Sequence, residues 1–349
     1  MNRSQYPLVA MRFSLFTALS TAASLGLALP STLHTRGMSI ALHGLIYSNH
    51  DVADPYSDIS PDQFTDFDFW VQYAGAAYYL NDYTAKNGYK ISCDKGNCPD
   101  VEKNGGTIFY DFSNDTVTDT AGFIAVDDVK KAIVLSFRGS YSVRNWIADA
   151  SFPYTSTGIC TGCEAELGFW GSWKAVRENI QSQLHDAFSQ HSDYELVVTG
   201  HSLGAAIASL AAADLRGKGY PEAKMYAYAA PRVANPKLAK YITAQGNNFR
   251  FTHINDPVPK LPLLAMGYVH ISPEYYITAP NNATVKPSEV EVIEGDVSFK
   301  GNTGTGVPSI SAFAAHHWYF RQADAGLGAG IPLKRSLGSE DAGDPNDCI

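Results

Sequence analysis

The stretch VVTGHSLGAAIASLAAADL, residues 197–215, places Ser202 between two glycines. It overlaps a short apolar run, Glu195 to Thr199, whose β-branched residues are typical of a buried strand. It continues through Leu203 to Leu215, which has the small apolar residues and the length of a helix. A strand that enters a helix through Gly-His-Ser-Leu-Gly is typical of a nucleophile elbow, where the glycines let neighbouring backbone pass without clashes. The context therefore predicts a nucleophilic Ser202, with an inert turn as the alternative.

The rest of the chain predicts alternating strands and helices. Ser60 begins the capping box Ser-Pro-Asp-Gln, so a helix should start there and run to about Tyr78. Apolar patterning also predicts a hairpin over residues 106–126, a strand over 132–137, a helix over 168–190, and strands over 225–229 and 249–254. The order strand, helix, strand, helix, strand favours an α/β fold with a mostly parallel central sheet flanked by helices.

The bulk composition is that of a globular protein with a large core. Of the 349 residues, 45% are hydrophobic and 17% charged. The formal net charge is −9 and the basic residues are scattered rather than clustered. We therefore do not expect nucleic acid as a partner.

The N-terminal segment has the pattern of a secretory signal. Arg12 precedes FSLFTALSTAASLGLAL, a run of mostly apolar and small residues. A membrane anchor is the alternative, which we disfavour because the run is short and diluted by Ser, Thr and Gly, and no other stretch is apolar enough to span a bilayer. We expect a signal peptide over residues 1–30, a propeptide or flexible leader over 31–59, a catalytic domain over 60–322 and a loosely ordered tail over 323–349.

Cysteine spacing agrees with export. Cys93 and Cys98 enclose Asp-Lys-Gly-Asn, and Cys160 and Cys163 enclose Thr-Gly, so each pair can close a tight loop. Two local disulfides are the natural interpretation, with a zinc or redox site as the alternative. Cys348 is left over.

Two Asn-x-Thr sequons, at Asn114 and Asn282, predict glycan acceptors on exposed loops of a secreted protein.

A serine nucleophile needs a base and a carboxylate that orients the base. Asp256 directly follows a predicted strand, where an α/β hydrolase carries its acid, but it could equally be a turn-forming residue before proline. The base should follow the acid, and spacing alone leaves His270, His316 and His317 open. His253 precedes the acid inside a predicted strand, where a core histidine is expected.

The tetrahedral intermediate needs two hydrogen-bond donors, and the elbow supplies one. This is the backbone N–H of Leu203, at the start of a helix whose dipole favours negative charge. A second should follow an earlier strand, where Ser140 ends the sequence Phe-Arg-Gly-Ser and could offer its N–H and its hydroxyl. His201, beside the nucleophile, should project away from the site and serve a structural role.

Several motifs together resemble the secreted class 3 lipases of filamentous fungi, a family that also contains feruloyl esterases. They are VLSFRGS, NWIAD, DYELVVTGHSLGAA, YAAPRVAN, THINDPVPKLP, SPEYY and AHHWYF, between about Phe64 and Phe320. The resemblance implies an α/β-hydrolase fold and a triad of Ser202, Asp256 and His316. It also implies Ser140 and Leu203 as oxyanion donors, and no metal or organic cofactor.

The resemblance also implies a short helical lid after Ser140. Val143, Trp146 and Ile147 stand at helical spacing against polar residues, a pattern that otherwise fits an ordinary surface helix. Because feruloyl esterases of this family generally lack the tryptophan, Trp146 favours long-chain esters. We expect triacylglycerol hydrolysis at a lipid droplet or emulsion surface, with a feruloyl esterase, a phospholipase or a catalytically silent lipid-binding protein as alternatives.

The sequence departs from the family lipase pattern at one disulfide. That pattern links the first helix to the C-terminus, but the helix position here is Tyr79. The resemblance therefore implies a free or intermolecular Cys348 and a tail that no disulfide holds.

Overall fold

A computed structural model describes residues 59–79, 87–113, 119–140 and 151–325. The predicted signal and leader, the lid residues Val143, Trp146 and Ile147, the sequon at Asn114, and Cys348 lie outside these ranges. Within them, no helix is both long and apolar enough to cross a membrane.

The described residues form five α-helices and twelve strands. The helices are α1 (Pro61–Ala76), α2 (Pro99–Asn104), α3 (Leu167–Gln190), α4 (Leu203–Arg216) and α5 (Pro236–Gln245). The strands are β1 (Thr107–Ser113), β2 (Ala121–Asp127), β3 (Ala132–Phe137), β4 (Tyr154–Ser156), β5 (Glu164–Glu166), β6 (Glu195–His201), β7 (Lys224–Tyr228), β8 (Asn248–His253), β9 (Glu274–Ile277), β10 (Val290–Ile293), β11 (Trp318–Tyr319) and β12 (Arg321–Gln322).

Eight strands build the central sheet, in the order β1-β2-β3-β6-β7-β8-β9-β10. Neighbouring strands among β3, β6, β7, β8 and β9 pair in parallel. At the edges of the sheet, β1, β2 and β10 pair antiparallel to their neighbours. Carboxyl ends of parallel strands meet at one edge of a sheet, so the loops after β3, β6, β7 and β8 gather there. The predicted mostly parallel sheet is confirmed.

Helices cover both faces of the sheet, and each face has its own apolar core. One core contains Trp173 and Leu184 of α3 together with the alanine-rich side of α4. The other contains Phe67 and Trp70 of α1. The sheet is therefore buried on both faces, as parallel sheets usually are.

The predicted elements are found within a few residues of their expected bounds. Ser60 caps α1 as expected: its Oγ accepts from the Gln63 N–H, and the Gln63 side chain accepts from the Ser60 N–H, both at 3.2 Å. The helix ends at Ala76 rather than about Tyr78. Both predicted disulfides, Cys93 to Cys98 and Cys160 to Cys163, are present.

Three residues of the predicted tail pack against the rest of the structure. Ala323, Asp324 and Ala325 are buried. They are held through Asn97, whose amide donates to the carbonyl of Asp324 at 3.0 Å and whose own oxygen accepts from Tyr79 at 2.6 Å. A chain of hydrogen bonds thus runs from Tyr79, three residues after α1, through Asn97 to Asp324.

Candidate active site

The elbow holds Ser202 in a strained conformation. Ser202 lies between β6 and α4 with φ of 60° and ψ of −124°, and its N–H donates to the Tyr228 carbonyl at 2.9 Å. A Cβ on Gly200 would lie 2.5 Å from the backbone of Gly204, and one on Gly204 would lie 2.2 Å from the Phe137 carbonyl oxygen. Both flanking glycines are therefore needed for the turn to close.

Asp256 sits in the loop after β8 and is fully buried. Its carboxylate accepts from His316 Nδ1 at 3.0 and 3.1 Å, from the Tyr319 hydroxyl at 2.5 Å and from the Val258 N–H at 2.9 Å. Burial by itself raises the pKa of Asp256, but the charge and hydrogen bond of His316, with the two other donors, outweigh it and lower the pKa. The acid is therefore held ionised and facing the imidazole.

His316 lies in a 3₁₀ segment, Ile310–His317, and is 1% exposed. Since a carboxylate only accepts, Nδ1 carries the proton that Asp256 receives. The other ring nitrogen, Nε2, is buried without a hydrogen-bond partner among the described residues. A proton acceptor is thus left unused on the side of the ring away from the acid.

The other candidate bases have partners of their own. His317 Nδ1 pairs with the Asp324 carboxylate. His270 Nε2 donates to the Pro259 carbonyl at 2.7 Å, and its pKa is lowered well below 6.5 by burial and by the charges of Arg250 and Arg232. Of the three, only His316 contacts Asp256 in the hydrogen bonds of the described residues.

His253 and His201 have the structural character expected of them. His253 ends β8, and its Nδ1 donates to the Ile254 carbonyl at 3.0 Å. His201 is buried, and its Nε2 donates to the His316 carbonyl at 2.7 Å. The rings of His201 and His316 pack with their centroids 4.7 Å apart, which brings the segment of the candidate base next to the elbow.

The predicted oxyanion donors lie at the same edge of the sheet. Leu203 is the first residue of α4, where the helix dipole favours negative charge. Ser140 follows β3, whose last residue Phe137 is in register with Gly200 of β6. Ser140 is half-buried and lies three residues along the chain from Phe137, which pairs with Gly200 of the elbow.

Sequence reasoning missed two residues that support the acid. Tyr319 reaches Asp256 from β11, and the Asn302 amide donates to the carbonyls of Asp256 and His253, both at 2.9 Å. Tyr319 lies within the motif AHHWYF, but its chemistry is not evident from spacing, and Asn302 lies in a loop without periodicity. Only the fold brings them to the acid.

Within the described ranges, no group of three or more His, Cys, Asp or Glu side chains is arranged to hold a metal ion.

The fold and the glycine-flanked serine are those of an α/β hydrolase. Two family models match the chain: Lipase (class 3) over residues 134–266 and Lipase 3 N-terminal region over residues 15–110. The chain is 62% identical over 325 residues to the secreted mono- and diacylglycerol lipase A of Penicillium cyclopium, covering 93% of this chain and 100% of that protein. It is 36% identical over 286 residues to the secreted mono- and diacylglycerol lipase 1 of Fusarium solani, covering 81% of this chain and 84% of that one.

Solved structures agree. A mono- and diacylglycerol lipase from Aspergillus oryzae has a TM-score of 0.74 and 64% identity, covering 75% of this chain and 98% of that chain. A Rhizomucor miehei lipase solved as a propeptide complex has a TM-score of 0.65 and 28% identity, covering 76% of this chain and 82% of that chain. This chain belongs to the fungal class 3 lipases, and it is a secreted lipase.

Proposed function

We propose that the chain hydrolyses acylglycerol esters through a triad of Ser202, His316 and Asp256. The observation that carries this proposal is the pairing of Asp256 with His316 Nδ1, while Nε2 has no hydrogen-bond partner among the described residues. The His316 ring packs against His201, the residue directly before the glycine-flanked Ser202. An oriented imidazole with a free nitrogen is what a serine needs to become a nucleophile.

In this mechanism His316 Nε2 takes the Ser202 proton as the serine oxygen attacks the ester carbonyl. Asp256 stabilises the imidazolium that forms, and the donors at Ser140 and Leu203 stabilise the oxyanion. His316 then protonates the leaving alcohol, which leaves an acyl-enzyme. A water then gives a proton to His316 as its oxygen attacks the acyl carbonyl carbon; the bond between that carbon and the Ser202 oxygen breaks, the fatty acid leaves, and His316 returns the proton to Ser202.

We propose partial acylglycerols as preferred substrates, with triacylglycerol accepted at an interface. The relatives that match nearly the full chain carry the name mono- and diacylglycerol lipase, which supports the first part. The tryptophan of the predicted lid supports the second part only through the family resemblance. The ratio of rates on diolein and triolein emulsions therefore decides the substrate.

Exposed apolar side chains support a lipid surface as partner. Large apolar side chains are exposed at eight described positions, and five of them lie in two loops, residues 261–267 and 297–307; these are Leu263, Met266, Val297, Phe299 and Val307. Phe299 is 71% and Val307 84% exposed, and Lys300 is the only charged residue in the two loops. Such a surface favours uncharged lipid over an anionic membrane.

These two loops, which we call the acid-side loops, lie beside the acid. Arg232 ties them together, since its guanidinium donates to the Pro262 carbonyl and to the Thr303 hydroxyl, both at 2.9 Å. Asn302, which precedes Thr303 in sequence, donates to the Asp256 carbonyl at 2.9 Å. The two loops that carry the exposed apolar residues are therefore linked to each other and to the segment that carries the proposed acid.

A fluorophosphonate probe and a substrate panel test the proposed function. The wild type should be labelled and Ser202→Ala should not. His316→Ala should remove nearly all turnover, while the matched neighbour His317→Ala keeps most of it. Rates on emulsified diolein, triolein and phospholipid and on methyl ferulate then give the substrate class; a preference for the ferulate or the phospholipid would contradict an acylglycerol lipase.

A matched pair of variants tests the lipid surface. Phe299→Ser should weaken binding to diolein droplets, whereas Val129→Ser should not. Val129 is also exposed, at 66%, but lies in the turn before β3 at the opposite edge of the sheet. Equal binding by both variants would contradict the role of the acid-side loops.

A further inference from the structure

The hydroxyl of Tyr78 lies where three segments of the chain meet. Tyr78 follows α1 and is 5% exposed. Its oxygen is 2.8 Å from His201 Nδ1. A Cβ built on Gly139 would lie 1.8 Å from the same oxygen and 2.7 Å from the His201 carbonyl oxygen, so the Tyr78 hydroxyl lies directly against the backbone of Gly139.

Each of these contacts is one residue from a group that the proposed reaction uses. Gly139 precedes Ser140, the proposed oxyanion donor, and His201 precedes Ser202, the proposed nucleophile. His201 also bonds the backbone of His316, the proposed base, at 2.7 Å. The oxyanion, nucleophile and base segments therefore all touch one pair of side chains, Tyr78 and His201.

The direction of the hydrogen bonds in this pair is fixed by chemistry. The His316 carbonyl can only accept, so His201 Nε2 carries a proton and donates it. Burial, with the charge of His316, lowers the pKa of His201 to about 3, so its ring is neutral and Nδ1 is an acceptor. The Tyr78 hydroxyl therefore donates to Nδ1 and holds His201 in the tautomer that reaches His316.

We propose that Tyr78 and His201 are positioning residues that hold the oxyanion segment, the nucleophile elbow and the base segment in register for the ester hydrolysis proposed above. Both side chains are buried, so we place their action in the backbone that they hold rather than in contact with substrate. A displacement of about 1 Å between reacting groups is enough to cost roughly 100-fold in rate, so a hydroxyl that links the three segments can control turnover. Because alignment rather than substrate contact is affected, its loss lowers kcat and leaves KM nearly unchanged.

Removing one oxygen atom tests the proposal with little effect on packing. Tyr78→Phe should lower kcat on a dissolved short-chain ester by about tenfold or more. Tyr73→Phe is the matched control, because Tyr73 lies on α1, the helix that Tyr78 follows, is fully buried and donates its hydroxyl to Asp127 at 3.0 Å, away from the site. Both variants should lose similar Tm, since each removes one buried hydrogen bond, but only Tyr78→Phe should lose kcat.

Two substitutions of His201 separate positioning from space filling. In His201→Gln the amide nitrogen can occupy the place of Nε2 and still donate to the His316 carbonyl, whereas His201→Phe keeps a ring but no donor. Positioning predicts that Gln retains more kcat than Phe. In the His201→Phe background, Tyr78→Phe should lower kcat less than it does in the wild type, because the hydrogen bond to His201 Nδ1 is already gone.

Either of two results would overturn the proposal: kcat of Tyr78→Phe within twofold of Tyr73→Phe, or His201→Phe at least as active as His201→Gln. If His201→Phe does not fold, the comparison of the two tyrosine variants still decides. A failure of the proposed function itself is seen separately, since Ser202→Ala would then keep its activity whatever the effect of Tyr78→Phe.

Discussion

The Tyr319 hydroxyl donates to Asp256 Oδ2 at 2.5 Å, on the carboxylate that also holds His316. The phenol lies in a fully buried environment, and burial followed by the nearby Asp256 charge raises the pKa of Tyr319 well above 10. The phenol therefore stays protonated and remains a donor to the acid throughout the ordinary pH range.

Replacing Tyr319 by Phe should shift the acid limb of the activity profile. The hydrogen bond from Tyr319 is one of the contacts that lower the pKa of Asp256, so its loss should raise that pKa. The ionised acid is then lost at a higher pH as the solution is acidified. Profiles of kcat/KM against pH for wild type, Tyr319→Phe and the remote Tyr73→Phe measure the shift; a common acid limb in all three would contradict it.

Two helical glycines should respond to alanine in opposite ways. In Gly204→Ala the new Cβ would meet the Phe137 carbonyl oxygen at 2.2 Å, so the elbow must open and both stability and turnover should fall. Gly171, in α3, has nothing within 4 Å of its added Cβ, so Gly171→Ala should stabilise the protein by about 0.5–1 kcal/mol. Urea unfolding of both variants is the measurement, and stabilisation by Gly204→Ala would contradict the tight elbow.

Stability should fall on acidification because His270 is buried in its neutral form. Burial and two nearby arginines lower its pKa well below 6.5. As pH falls below 6.5, this histidine binds a proton in the unfolded chain but not in the folded protein. The free energy of unfolding therefore falls, with a slope approaching about 1.4 kcal/mol per pH unit.

His270→Gln tests this dependence, since glutamine can keep the donor to the Pro259 carbonyl without titrating. The variant should lose less unfolding free energy than wild type between pH 7 and pH 5. The same comparison between pH 8 and pH 7 is the control, where neither protein should change through this histidine. Parallel losses below pH 6.5 would show that His270 does not carry the effect.

Trp146→Ser tests the lid expected from the sequence, which lies outside the described residues. If Trp146 anchors an apolar lid face, the variant should lose far more activity on emulsified long-chain ester than on a dissolved short-chain ester. The ratio of the two rates, measured beside wild type, is the readout. Equal losses on both substrates would count against the lid.

The sequence was informative where a local pattern determines local structure. The apolar runs and the glycines at 200 and 204 predicted the elbow, and the capping box at Ser60 predicted the start of α1. Short strands with few neighbours in sequence, such as β9 and β10, were missed because their pairing depends on the rest of the sheet.

The site was predictable only in part, for the same reason. Spacing left His270, His316 and His317 equivalent, and the family resemblance chose His316. The structure agrees with that choice to the extent that His316 is bonded to Asp256. Tyr319, Asn302 and the pair Tyr78 and His201 meet their partners across more than 45 residues of chain, so no local pattern could indicate them.

Helix α4 begins with an unused cap. A serine at this position ordinarily accepts a hydrogen bond from the first turn, but Ser202, whose φ is 60°, makes no such bond. The Ser202 hydroxyl and the first amides of α4 are therefore not bonded to each other. The hydroxyl of the proposed nucleophile and the amides around the proposed oxyanion donor Leu203 thus both stay available for other partners, and α4 begins without the stability that a cap bond would give it.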